Sequence, residues 1–122
     1  MNYTVVICQL LIALVIYNVW LFRFNKATPY RGGSAKNMTE EFLAYGLPLW
    51  FMRVVMVLKL SFASLLLLGI WFPPFVPWAA SGMAVLMLGA VVMHAKVHDS
   101  LKKTAPAATM LGLSLFVMLA SQ

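Results

Sequence analysis

The sequence predicts an all-α protein, a transmembrane four-helix bundle with a short interfacial helix before the second span. Three observations carry that prediction. Of 122 residues, 63% are hydrophobic and only 10% are charged, against about 25% charged in an ordinary soluble domain. The apolar residues form long continuous runs rather than one-sided stripes, which argues against a soluble helical bundle. The cations collect in the short segments between runs one and two and between runs three and four. The net charge of +6 therefore reads as topology and contact with anionic headgroups. The lipid bilayer is the expected partner and nucleic acid is not. A single integral membrane domain is expected over residues 1–122, with spans at about 4–24, 48–71, 76–97 and 104–121.

The first span has no basic residue before it, and Arg23 and Lys26 follow it. A signal peptide has the opposite charge order, so a retained helix is expected. Its single cysteine, Cys8, excludes an internal disulfide and reads as buried and inert. Gln9, Tyr17 and Asn18 interrupt the run and should face the bundle interior or an interface, since polar atoms are costly against lipid. Trp20 and Phe22 suit the interfacial belt.

Residues 25–36, NKATPYRGGSAK, form a basic loop marked by Pro29, Gly32 and Gly33. Its Arg-Gly-Gly stretch lacks the spacing of a phosphate-cradling fingerprint, so contact with lipid phosphates is the reading. Residues 37–45, NMTEEFLAY, predict the interfacial helix. Asn37 and Glu40 imitate a capping box, and Glu40 and Glu41 suit the positive end of the helix dipole. Either acid can also meet Arg53, which lies one to two turns into the next span.

The second span, PLWFMRVVMVLKLSFASLLLLGIW, holds two cations, Arg53 and Lys59. Arg53 is close enough to the Pro48 end to snorkel to the headgroups. Lys59 lies about 16 Å in by helical rise, near the midplane. A charge there costs at least ~2.5–3.5 kcal/mol, and no Asp or Glu occurs inside any apolar run. A structural reading has Lys59 hydrogen-bonded to Ser114, Gln9 or a backbone carbonyl at a similar depth. A functional reading has it offering a hydrogen bond or a charge to a quinone or an anion. Asn18 completes this group of ligand-binding candidates.

The uncharged turn FPPFVP lies between Trp71 and Trp78, two interfacial anchors. The third span carries Ser81, Gly82, Gly89 and Ala90 as small residues for close helix contact. His94 and His98 share a helix face near its end and are followed by Asp99. Two imidazoles do not fill a zinc or iron shell, so no metal site is expected. His94, His98 and Asp99, like Arg53 and Glu41, read as interfacial residues. Thr104 can cap the fourth helix, with Pro106 in its first turn and Ala108 and Gly112 as a small pair. The basic loops place both termini outside the cytoplasm.

The second half of the chain resembles the DoxX-like family of small four-helix membrane proteins. The resemblance rests on Gly46-Leu47-Pro48, Leu68-Gly69, Gly89-Ala90 and above all HAKVHDSLKKTAPA, His94 to Ala107. Lys59 departs from the pattern, because many relatives have a carboxylate near that position. The resemblance implies a fold more firmly than a reaction. Some members resemble subunits of thiosulfate- or quinol-linked oxidoreductases, and distant animal relatives look like chaperones or cargo receptors in the secretory pathway; the expected location is a bacterial inner (plasma) membrane.

The sequence contains no nucleophile with a paired base, no paired carboxylates within a span and no cofactor fingerprint. The leading reading is a non-catalytic accessory, assembly or quinone-site subunit of a membrane redox system. Any resident cofactor would then sit on a redox partner, with quinone the candidate ligand for this chain. The alternative is a small self-associating transporter, a homo-oligomer, that uses Lys59 to bind an anionic or amphipathic solute.

Overall fold

The computed structural model describes residues 2–122. Its helices are α1 (Tyr3–Tyr17), α2 (Met38–Ala44), α3 (Leu49–Leu68), α4 (Val76–Lys96) and α5 (Leu101–Ala120), with no strand among the described residues. A π turn, Asn18–Phe22, extends α1, and a 3-10 turn, Pro73–Phe75, leads into α4. Four segments are long and apolar enough to cross a bilayer: Tyr3–Phe22, Leu49–Leu68, Pro73–Lys96 and Leu101–Ala120. The protein is an all-α transmembrane bundle.

Contacts run α1–α3, α3–α4, α4–α5 and α5–α1, so the four spans close a ring in that order. Lipid tails supply no hydrophobic drive between helices, and close packing has to replace it. Small residues provide it in the half of the bundle away from the cations. A Cβ on Gly82 of α4 would come within 2.4 Å of the Phe62 ring of α3. One on Gly69 would meet Val76 at the same distance. Ile12, Leu66, Met83 and Val117, one from each span, are fully buried between them.

Trp71 and Trp78 stand exposed at the charge-free end, and Phe22 and Trp50 at the basic end, as belt residues should. Trp20 does not join them. It is 3% exposed and packs on Phe24 and Phe42. It continues the i, i+4 series Ile12–Ile16–Trp20, whose earlier members face the core, so its helix face outweighs its nearness to the membrane surface.

At α2, the Asn37 side chain accepts from the Glu40 backbone N–H at 2.8 Å and donates to the Glu40 carboxylate at 3.0 Å. The expected capping partners therefore meet, side chain to side chain on the return. The cap of α5 is Ser100 rather than Thr104, its hydroxyl accepting from the Lys103 N–H. The helix consequently starts four residues early and carries Pro106 inside it.

Candidate functional site

Four helices of unequal reach leave a hollow at the basic end. The Lys59 ammonium lies 5.2 Å from the centroid of the Trp20 ring, and the π turn ends two residues after Trp20. The part of α3 before Lys59, Leu49–Leu58, therefore runs on past the end of the first span by about 12 Å of helical rise. Here α2 and the loop before it cover the space between α3, α4 and α5. The result is a cavity of ≈ 580 Å³, within the usual size of a small-molecule site.

Its wall is mostly apolar: Ile16 and Val19 from the first span, Phe42 from α2, Phe51 and Val55 from α3, Val85 and Met93 from α4, Ala107 and Met110 from α5. Asn18, Glu41, Tyr45, Lys59, His94 and Lys103 add polar atoms. Lys59 is 8% exposed. Among the described residues no carboxylate is within ion-pair distance of it and no protein acceptor takes a hydrogen bond from it. The Trp20 face offers the ammonium a cation–π contact, which reaches ~2 kcal/mol when desolvated.

The partners proposed for Lys59 from its depth are elsewhere. Gln9 donates to the Leu66 carbonyl at 2.8 Å, two turns of α3 beyond Lys59. The Ser114 hydroxyl is buried without a partner. Counting helical rise from each span's inner end assumed a common starting depth, whereas α1 stops short and α5 begins early. Arg53 is exposed on the outer face of α3 beside Val54, Val57 and Leu58.

Glu41 meets a different arginine. Arg31 pairs with it at 3.0 Å, both side chains nearly inaccessible. The Glu41 carboxylate also accepts from the Gly32 N–H at 3.1 Å and the Tyr45 hydroxyl at 2.8 Å. Arg31 donates in addition to the carbonyls of Arg23, Phe24 and Lys26, which fixes the path of the loop. A buried ion pair is tolerated only when its remaining hydrogen-bonding capacity is filled, and here the loop backbone fills it. Arg31 read as a lipid contact in sequence because nothing local brings a loop residue to Glu41.

The network continues to α4. The Tyr45 hydroxyl lies 3.4 Å from His94 Nε2, and His94 Nδ1 lies 2.7 Å from the Asp99 carboxylate. Asp99 accepts as well from the Gly33 N–H at 2.9 Å, while Lys103 donates to the Gly33 carbonyl and Lys96 to the Tyr45 carbonyl. Burial pushes the Asp99 carboxyl up, but the Gly33 N–H, His94 and Lys103 outweigh it and hold it below its ordinary value. Burial and the neighbouring Glu41 carboxylate push the Tyr45 phenol far up, so it stays a neutral donor.

His94 and His98 do not converge. His98 is exposed and adopts φ +57°, the left-handed turn that ends α4. That turn lets the Asp99 N–H reach back to the His94 carbonyl at 3.0 Å and brings the Asp99 side chain to the His94 ring. Among the described residues no three His, Cys, Asp or Glu side chains are grouped to hold a metal ion.

The family model described as "DoxX-like family" matches residues 7–117, nearly the whole chain. No curated protein and no solved structure gives a significant match.

Proposed function

The chain belongs to the DoxX-like family, and on that premise we propose that it is a non-catalytic membrane component that binds a lipid-soluble quinone beside a redox partner. The observation that supports this reading is one buried ammonium in the wall of a largely apolar cavity. A quinone ring is apolar on its faces and accepts hydrogen bonds at its carbonyls, so Lys59 suits it as a donor and the aliphatic wall suits its ring and tail. The Glu41, Tyr45 and His94 side chains satisfy one another, so they hold the end of the cavity in shape. Electron carriers would belong to the partner.

The positive-inside rule puts the cavity on the cytoplasmic side of a bacterial inner membrane, with both termini outside. A periplasm-active reporter fused at the C-terminus is expected to work, and a cytoplasm-only reporter to fail.

The test of function is what the protein retains on purification. Protein taken from native membranes in mild detergent is expected to carry quinone in its lipid extract and to bring a redox protein with it. Lys59→Met keeps the length of the side chain and removes the donors. The variant is expected to stay folded and to lose the quinone, since an apolar replacement of a buried charge is often stabilising. A second reading, a transporter for an anionic amphiphile, draws on the lack of a carboxylate partner for Lys59. Recovery of an anionic lipid or fatty acid instead of quinone would favour it.

A further inference from the structure

The seam between α3 and α4 changes character along its length. In the charge-free half, Gly82 lies so close to Phe62 that a Cβ would overlap the ring. Gly89 follows seven residues later, two turns on and on the same flank of α4. A Cβ there would meet nothing within 4 Å. The same residue type thus closes the seam at one level and leaves it open at the other.

The open level belongs to the cavity. Gly89 and Val85 both line it, and both face the outside of the bundle, Val85 being 69% exposed. Across the seam, Phe51 of α3 lines it too and is 37% exposed. Side chains that border a cavity and also face the bilayer mark a mouth that opens sideways. At the basic end the exposed Arg23 and Tyr30 also border the cavity. There α2 lies over the cavity, and the preceding loop is tied down through Arg31 to Glu41 and through Gly33 to Asp99. Lys59, more than nine-tenths buried and without a polar protein partner, lies in the wall behind the mouth.

We propose that the α3–α4 seam at Phe51 and Gly89 is a lateral portal, through which a lipid-soluble ligand enters from the leaflet on the basic side. This rests on the quinone reading above and adds how the ligand lies. Its headgroup passes inward to Lys59, and its tail stays in the seam and continues into the bilayer. A tail left there never has to meet water, so long-tailed ligands fit a cavity that could enclose only their heads.

Gly89→Phe tests the portal, because the added ring enters open space instead of a packed contact. The measurement is equilibrium binding of a decyl-tailed and a tail-less benzoquinone to the protein in lipid nanodiscs. Gly89→Phe is expected to weaken the decyl ligand about tenfold or more, the equivalent of a methylene or two of lost burial, and the tail-less ligand by less than about twofold. Gly89→Leu, a smaller plug, is expected to weaken the decyl ligand less. Leu88→Phe, exposed and outside the cavity wall, is expected to change neither.

Unchanged binding of the decyl ligand in Gly89→Phe would overturn the portal and leave the quinone site standing. Equal loss of both ligands would also overturn it, since position 89 would then act on the headgroup. A wild-type protein that binds neither quinone would instead overturn the quinone reading.

Discussion

The two halves of this bundle use the same four helices and solve different problems. In the charge-free half the helices touch through glycines, as Gly82 does with Phe62, and a polar side chain bonds singly to the backbone of the next span, as Gln9 of α1 does to the Leu66 carbonyl of α3. In the basic half the first span ends early, and the space left is covered by a loop, a seven-residue helix and a buried polar network. One half is a packed scaffold, and the other is a hollow held open. The difference teaches that burial of charge here serves shape. Arg31 and Glu41 tie a cover over the cavity, where apolar side chains would have collapsed into it.

The largest effect expected from this contrast is at the tie. Glu41→Ala leaves the Arg31 guanidinium buried without its anion and should cost about 3–5 kcal/mol of stability. Denaturation in detergent would read this, and a loss under about 1 kcal/mol would mean the loop does not depend on the pair. Next comes a matched pair of glycines. Gly82→Leu should cost about 1–3 kcal/mol by overpacking against Phe62. Gly89→Leu, by contrast, meets no crowded contact and removes a glycine from a helix interior, so it should be neutral or stabilise by up to about 1 kcal/mol. Equal effects at the two positions would erase the distinction between the halves.

A smaller effect is expected from acid. The Asp99 carboxyl is held below its ordinary value of 3.8 in the folded protein. Its contribution is therefore complete above that value and is lost as pH falls through the lower folded value. Melting temperature followed from about pH 6 to about pH 3 should drop more in wild type than in Asp99→Asn, which has no proton to take up. Smallest is the turn that delivers Asp99. His98→Gly relieves a side chain in the left-handed region and should gain from a few tenths to about 1 kcal/mol. A loss of stability would show that the His98 side chain has a contact of its own.

The halves also differ in how far the sequence discloses them. The four spans, the α2 cap and the close contact at Gly82 were legible, because each follows from a continuous run or a local spacing, whereas Gly89, expected to make the same kind of contact, faces open space. The partners of the buried charges were not. Glu41 read as a neighbour of Arg53 because the two are close in sequence, yet the pair is made with Arg31, whose loop is folded back by contacts to Glu41 and Asp99. Lys59 read as level with Ser114 and Gln9, and the stagger of α1 against α3 places Trp20 there instead. Such relative depths depend on how the ends are covered, which no single helix encodes.

The central claim is that Lys59 makes the hollow a ligand site and not merely a void. Melting of wild type and Lys59→Met in detergent, with and without added decyl-tailed benzoquinone, tests it most directly. A ligand that binds only the folded state stabilises it by about 2.7 kcal/mol at a hundred times its dissociation constant. Wild type is expected to melt progressively higher as the quinone is added. Lys59→Met is expected to melt at or above wild type without ligand and to show no response to it. An equal upward shift in both proteins, or none in wild type, would contradict the account.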